Sequence, residues 1–109
     1  MITWQDFENV EMHVGRIIAV DDFPEAKNPA YKLQIDFGKL GIKKSSAQIT
    51  KLYRKNDLLN RQVIAVTNFP PKQVANFISE CLILGIVLDN KNVVLLQPER
   101  EVPNGQRIA

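Results

Sequence analysis

The chain has 109 residues, of which 45% are hydrophobic and 24% charged, and it carries a formal net charge of +2. This length fits one domain with a single core, and the composition excludes a disordered, collagen-like or low-complexity chain. No apolar run reaches the roughly 18 to 20 residues of a membrane-spanning helix, and acids stand where a signal peptide carries basic residues. We therefore expect one domain over residues 1–109 that is cytoplasmic and does not insert into a membrane.

A short helix and a long strand are predicted first. Thr3 is a good N-cap, and Trp4, Phe7 and Val10 form an apolar stripe behind it. From residue 11 the sequence EMHVGRIIAVDDF is β-branched and alternating, which predicts a strand. Gly15 inside this strand indicates a bulge or a sharp coil. The proline-bounded stretch PEAKNPA that follows is predicted to be a loop.

The rest of the chain contains further predicted strands separated by turn residues. They are YKLQIDFG at 31–38, IKKSSAQI at 42–49, QVIAVTNF at 62–69, ECLILGIVL at 80–88 and NVVLLQP at 92–98. The segment TKLYRKNDLLN between the second and third of these predicts a short helix or an irregular connection. A loop is expected after Pro70 and Pro71, because neither proline can donate a ladder hydrogen bond. DNKN predicts a hairpin turn and VPNG a turn near the C-terminus.

This order of elements predicts an all-β fold. Five or six short strands with one helical insertion after the third are typical of a closed or partly closed antiparallel barrel. The five-stranded OB-fold has this order, here with extensions at both ends. A small β-sandwich fits the same pattern and stays open as an alternative. A parallel α/β fold is disfavoured because no connection is long enough for crossover helices.

Positive charge is concentrated in the middle of the chain. Residues 37–79 contain eight lysines and arginines against Asp57 alone, a balance of +7, whereas residues 1–36 balance to −4. Such a block attracts polyanions, and nucleic acid is the commonest of these in the cytoplasm. A solvated face that only maintains solubility is the alternative interpretation.

Signatures of catalysis and metal binding are missing from the sequence. It has no nucleophile elbow, no P-loop and no G-x-G-x-x-G after a strand. Cys81 falls in an apolar strand, where a buried structural thiol is expected, and it has no second cysteine to pair with. His13 is the single histidine and is expected to be a hydrogen-bonded surface residue. We expect no enzymatic activity, no cofactor and no metal.

The third predicted strand is unusually polar. Ser45, Ser46 and Gln48 can both donate and accept hydrogen bonds, as ribose hydroxyls and base edges require, and nearby lysines can contact phosphates. OB-folds often bind ligands on this part of the barrel. The alternative is that the serines are small because another element packs closely over them, with Gln48 bonded to the backbone.

Several motifs in order resemble the CsaA family of export-related chaperones. They are SSAQIT at 45–50, NFPP at 68–71, VVLLQPE at 93–99 and VPNG at 102–105. This family belongs to the tRNA-binding OB domains, which are also appended to methionyl-tRNA synthetase and to the beta subunit of phenylalanyl-tRNA synthetase. The resemblance covers nearly the whole chain. It implies a homodimer without catalytic activity that binds tRNA by shape and backbone.

The resemblance and the basic block together define the expected tRNA site. VGRI at 14–17, FPEA at 23–26 and the Lys32-Leu33 pair match further motifs of the family, and Ser79 and Leu82 match positions near its binding groove. The residues expected to contact tRNA are Lys32, Lys43, Lys44, Ser45, Ser46, Gln48, Lys51, Arg54, Lys72, Ser79 and Leu82.

Two positions depart from the family pattern. His13 stands where the family often has arginine, so any phosphate contact there is expected to be weaker and pH-dependent. Asn76 stands where glycine is common, and asparagine is the non-glycine residue that best tolerates a positive φ angle. We expect the backbone turn at Asn76 to be kept.

Apolar residues at both ends of the chain are candidates for a dimer interface, or for plugs at the ends of the barrel. They are Trp4, Phe7 and Val10 at the start, and Val93 to Leu96, Val102 and Ile108 at the end. An alternative function is that of an export chaperone which binds unfolded proteins and contacts the secretion machinery. The expected peptide-binding residues are Phe69, Pro70, Pro71, Phe77 and Ile78, unless this segment only packs on the barrel.

Overall fold

The computed structural model describes residues 1–109 as short helices and nine strands. The helices are α1 (Trp4–Glu8) and α2 (Lys55–Leu58), with a 3-10 helix at Gly38–Leu40. The strands are β1 (Met12–Asp22), β2 (Tyr31–Asp36), β3 (Ile42–Ala47), β4 (Gln62–Val66), β5 (Lys72–Val74), β6 (Phe77–Ser79), β7 (Leu82–Ile83), β8 (Gly85–Val87) and β9 (Val93–Leu95). None of the helices has the length and apolar character needed to cross a membrane.

Five strands form an antiparallel sheet in the order β3-β2-β1-β4-β7. The long strand β1 pairs with β4 along its first half and with β2 along its second half. Hydrogen bonds then join β3 to the segment before β7: the Glu80 amide donates to the Lys44 carbonyl at 2.8 Å, and the Lys44 amide donates to the Glu80 carboxylate at 2.9 Å. The sheet is therefore a nearly closed barrel, which confirms the predicted OB-fold architecture over the sandwich.

The barrel core follows from the alternation of the strands. Leu33 and Ile35 of β2 are fully buried, together with Phe37 just after the strand, while Gln34 between them is exposed. Ile17 of β1 and Val63 of β4 meet them inside the barrel. Leu58 of α2 is also fully buried in the core cluster, and this short helix lies where a helical insertion after the third strand was predicted.

Gly15 has a different role from the one predicted. The irregularity in β1 lies between Ile17 and Ala19, where the register with β2 shifts, whereas Gly15 pairs regularly with Val63. A Cβ atom on Gly15 would lie 2.5 Å from Ile35 Cγ2 and 2.6 Å from Phe37 Cε1. The position therefore needs glycine because β1 passes very close to the core side chains of β2.

The loop predicted after the two prolines is a β-hairpin. Strands β5 and β6 pair from Lys72 opposite Ser79 to Val74 opposite Phe77. The positive φ angle expected at Asn76 falls on Ala75 instead, at 52°.

The strand predicted at 80–88 is divided into β7 and β8. The last bond to β4 is the one that the Leu84 amide donates to the Ile64 carbonyl, and the chain then leaves β4 and pairs with β9 as strand β8.

The N-terminal extension is a capped helix, and the C-terminal extension pairs with the start of β1. Thr3 caps α1 as predicted, through a reciprocal capping box with Asp6. At the other end, the turn at Asn104 and Gly105 leads into a segment whose backbone bonds to β1. Gly105 N–H donates to the Val14 carbonyl at 2.7 Å, and the Ile108 N–H donates to the Met12 carbonyl at 2.8 Å. The tail thus covers the side of β1 that β4 leaves open.

Candidate nucleic-acid interface

The outer surface of β2 and β3 carries a set of polar side chains that we call the lysine face: Lys32, Gln34, Lys44 and Ser46. In the register of these two strands, Lys32 lies opposite Ser46 and Gln34 lies opposite Lys44. Because side chains alternate along a strand, these four point away from the core that Leu33 and Ile35 enter. Neither lysine forms an ion pair, so both ammonium groups are available to a ligand.

Two aromatic rings hold the lysine face in place. Phe23 and Phe77 pack against each other with ring centroids 5.6 Å apart. The Lys32 ammonium lies 5.6 Å from the centre of the Phe23 ring, and the Lys44 ammonium lies 5.4 Å from that of Phe77. A cation over an aromatic face is held electrostatically while its outer side stays hydrated. The pair thus fixes the hairpin β5–β6 on the barrel and orients both lysines.

Two residues expected in the site are directed elsewhere. Ser45 is 1% exposed, lies opposite Leu33 and donates to the Ser46 carbonyl, so the expectation of a surface hydroxyl at Ser45 is wrong. Lys43 lies opposite the core residue Ile35 and is half-buried. Strand alternation separates it from Lys44, so the two adjacent lysines do not share a face.

A groove of about 960 Å³ adjoins the lysine face at Ser46. Its lining includes residues of the β1–β2 loop and of the segment from Phe69 to Val74. Residues expected from both functional hypotheses line it. From the tRNA hypothesis these are Ser46, Gln48, Lys72, Ser79 and Leu82, and from the peptide hypothesis Phe69, Pro70 and Pro71. The structure therefore brings part of each predicted site together in one groove.

Ser46 and Ser79 link β3 to β6 at the edge of the groove. The Ser46 amide donates to the Ser79 hydroxyl oxygen at 2.9 Å, and the two hydroxyl oxygens are 3.0 Å apart. Both serines are half-buried and small enough for the hairpin to approach β3. The close packing considered for the small residues of β3 is thus present together with a position beside the groove.

The remaining predicted residues lie outside the groove. Lys51 and Arg54 are exposed in the connection around α2, and Arg54 forms a long ion pair with Asp57 at 3.9 Å. Phe77 borders a separate cleft of about 200 Å³ beside Lys32 and Lys44, and Ile78 lines neither cavity. The charge of the basic block is therefore spread over several surfaces, of which the lysine face is one.

Cys81 is a buried structural thiol, as predicted. It is 7% exposed and its sulfur lies 3.7 Å from the Lys44 carbonyl oxygen. Burial raises the pKa of the Cys81 thiol to about 12, so the nucleophilic thiolate is scarce near neutral pH. No group of three or more histidine, cysteine or acidic side chains is placed to hold a metal ion.

His13 is hydrogen-bonded, but it is buried rather than exposed as expected. It is 7% exposed and its Nδ1 lies 2.9 Å from the Thr67 hydroxyl, which itself lies within bonding distance of the Glu11 carbonyl. When the Thr67 hydroxyl donates to that carbonyl, Nδ1–H of His13 can donate to Thr67. Because the ring is buried, we expect no phosphate contact from His13.

The stability of the fold is expected to fall as the pH drops below about 6.5. Burial lowers the pKa of the His13 imidazole, and the nearby Arg107 lowers it further while Glu11 opposes the shift. The unfolded chain then binds the proton more readily than the folded chain does. The stabilisation that neutral His13 contributes is therefore complete above the unfolded pKa and is lost as pH falls through the folded pKa. Urea unfolding of the wild type and His13→Gln at pH 5 and 7 tests this. An equal pH dependence in both proteins would show that His13 is not its source.

Lys27 and Asn28 are groove residues that the sequence did not single out. Both are exposed on the β1–β2 loop and line the groove, as Lys72 does. Their sequence, PEAKNPA, predicts a loop and nothing more. The signal that would have found them is architectural, because OB-folds commonly bind ligands between strands 2 and 3 and the loop after strand 1.

Comparison with known proteins places the chain in a family. The family model described as "Putative tRNA binding domain" matches residues 12–107. The crystal structure of chaperone CsaA from Bacillus anthracis strain Ames is 50% identical, with a TM-score of 0.96 over 100% of this chain and 99% of that one. The CsaA chaperone protein from Picrophilus torridus is 54% identical, with a TM-score of 0.93 over the whole of both chains. This chain belongs to the CsaA family of tRNA-binding domains.

The sequence of this CsaA-family chain also matches one part of larger enzymes. The methionine–tRNA ligase of Thermococcus onnurineus is 36% identical over 107 residues, which are 98% of this chain and 14% of the ligase. The ligase of Pyrococcus horikoshii is 35% identical over the same share of each chain. The chain thus spans about a seventh of the length of these curated relatives, and the resemblance to CsaA read from the sequence motifs is confirmed.

Proposed function

We propose that this CsaA-family chain binds tRNA through the lysine face and the adjoining groove, without catalysing a reaction. The observation that carries the proposal is the register of β2 and β3, which places Lys32, Lys44 and Ser46 together on the outer surface. Phosphates of a folded RNA can contact the two ammonium groups from one side. The family match over residues 12–107 supports tRNA as the ligand.

The charges on this surface favour a polyanion. Lys32 and Lys44 have no ion-pair partner, so binding a phosphate breaks no existing pair. Asp21 lies across from Lys32 in the β1–β2 register and is the one acid bordering the small cleft. Among the residues that line this cleft, two lysines stand against one carboxylate, while the Glu80 carboxylate accepts from the Lys44 amide outside it. Each phosphate contact releases condensed counterions from the RNA, which makes the binding dependent on salt.

The polar groups beside the lysines suit RNA in particular. The amides of Gln34 and Gln48 are exposed, and each can donate and accept hydrogen bonds. Ribose 2′-hydroxyls also do both, and they are displayed along RNA but not along DNA. Contacts of this kind recognise shape and backbone rather than a particular base sequence.

The purified chain is expected to retard tRNA in a native gel, and to retard duplex DNA of similar length much less. Both nucleic acids carry phosphates, so a difference between them reports shape and 2′-hydroxyl recognition. Equal retardation of the two would reduce the proposal to non-specific charge binding. No retardation of tRNA at low salt would refute it.

The proposed functional unit is a two-fold dimer. Apolar side chains that one chain leaves exposed occur on α1 and on the β8–β9 hairpin, including Trp4 at 88% and Val87 at 67% exposure. Leu95, a candidate either for this interface or for a plug of the barrel, is buried in the barrel core and is therefore not part of the proposed interface. Pairing two chains would present two lysine faces to one RNA.

A second candidate function, binding of unfolded export-bound proteins, is favoured by the apolar part of the groove. Phe69, Pro70 and Pro71 line it together with Leu82 and Ile83. Both similar crystal structures are described as chaperones. The groove is shared with the proposed tRNA site, so the chemistry of its lining decides which ligand it fits better.

A further inference from the structure

We propose that the groove binds an unpaired nucleobase of RNA together with its phosphate. This inference rests on the proposed function and adds a ligand for the space beside the lysine face. Shape recognition alone needs only an outer surface, whereas here a groove of about 960 Å³ is open next to it. Pockets of roughly 300 to 1,000 Å³ hold compact ligands of this size, and one or two nucleotides fit that range.

The charges lining the groove favour an anionic occupant. Lys27 and Lys72 both line the groove, and neither forms an ion pair. No aspartate or glutamate lines the groove. A phosphate bound in the groove would therefore meet lysines and no lining carboxylate. An apolar peptide would leave both ammonium groups without a partner.

Other side chains that line the groove are able to bind a nucleobase. The ring of Phe69 is 52% exposed, and an exposed aromatic ring is a surface on which a base can stack. The amides of Asn28 and Gln48 are exposed on the groove lining. A side-chain amide pairs one donor with one acceptor, which is the pattern found on the edges of bases. Stacking, edge recognition and phosphate binding are thus available in one groove.

Substitutions at Phe69 separate base stacking from packing of a peptide. Phe69→Trp keeps an aromatic face, whereas Phe69→Leu keeps apolar bulk and removes the face. If a base stacks on the ring, Phe69→Trp should bind a single-stranded RNA trinucleotide at least as well as the wild type. Phe69→Leu should bind it about tenfold more weakly, since each stacked base contributes strongly to single-strand binding. Both variants change an exposed side chain, so both should fold.

The binding experiment uses the ¹⁵N-labelled chain, 5′-phosphorylated trinucleotides of adenine, cytosine and uracil, and an apolar unfolded peptide as the rival ligand. We expect a trinucleotide to shift the NMR signals of Gln48 and Lys72 while leaving those of the tail residue Gln106 unchanged. Gln48→Glu, which adds a negative charge to the groove, should weaken binding, whereas the control Gln106→Glu should not.

The outcomes distinguish this inference from the proposed function. If the chain retards tRNA but no trinucleotide shifts groove signals, the inference is wrong and the proposed function stands. If only the apolar peptide shifts groove signals, the groove binds peptides and the inference is wrong. The same follows if Phe69→Leu binds that peptide fully while Phe69→Trp loses it. A chain that retards no tRNA overturns the proposed function, whatever the trinucleotides do.

Discussion

Replacing Lys32 and Lys44 together by alanine is expected to weaken tRNA binding by roughly 10- to 100-fold at about 0.1 M salt. Each phosphate contact releases about 0.9 counterion, which corresponds to nearly tenfold in affinity at that salt concentration. Both ammonium groups lie on the outer surface of the barrel, so the core should stay folded. Loss of the two contacts with Phe23 and Phe77 should lower stability by only about 0.5 to 1 kcal/mol each. Fluorescence anisotropy with labelled tRNA measures the affinity, and a thermal melt checks the fold.

The matched control removes the same charge from other surfaces. Lys39, in the 3-10 helix, and Lys91, in the β8–β9 turn, are both exposed and lie outside strands β2 and β3. Their double alanine variant should bind tRNA within about threefold of the wild type, because only general attraction is reduced. Equal weakening in the two double variants would show that net charge, rather than the register of β2 and β3, determines the affinity.

Gly15→Ala is expected to destabilise the fold by about 3 kcal/mol, at the upper end of the usual cost of overpacking a core. The new methyl group would overlap Ile35 Cγ2 at 2.5 Å and the Phe37 ring at 2.6 Å and 2.8 Å. Both residues are fully buried, and β1 is held by β4 and by the C-terminal tail, so little movement can relieve the contact. Urea unfolding should show a clearly lower midpoint than in the wild type.

Gly41 offers the comparison for this variant. A Cβ atom there would meet nothing within 4 Å, but the φ angle of 87° is unfavourable for any residue with a side chain. Gly41→Ala should therefore cost about 1 to 2 kcal/mol from backbone strain alone. If Gly15→Ala unfolds at the same urea concentration as the wild type, the packing of Ile35 and Phe37 against β1 is not as described.

The barrel could be predicted from sequence because its strands obey a simple period. The alternation of Tyr31, Leu33 and Ile35 identifies a half-buried strand, and the continuous apolar run at 63–66 fits a strand in the interior of the sheet. The hairpin β5–β6 could not be predicted in the same way. Its strands have three residues each, its turn uses a positive φ angle at alanine, and it is anchored by tertiary contacts of Phe77 and Ser79.

The candidate site was predictable in composition but not in arrangement. A basic and hydroxyl-rich third strand is visible in the sequence. Which side of the sheet each of its side chains lies on, however, depends on the register with β2. That register turns Ser45 into the core and separates Lys43 from Lys44. The groove depends on where the β1–β2 loop and the proline segment meet, which is a tertiary property. Lys27 and Asn28 could therefore be assigned to the site only from the folded structure.

The salt dependence of tRNA binding tests the central claim most directly, because it counts phosphate contacts. Anisotropy titrations of the wild type between about 50 and 300 mM salt should give a slope of log K against log salt of about −3 to −7, as expected for roughly four to eight phosphates. The Lys32→Ala, Lys44→Ala double variant should reduce the magnitude of this slope by about 2. A slope near zero for the wild type, or an unchanged slope in the double variant, would contradict binding of tRNA through the lysine face.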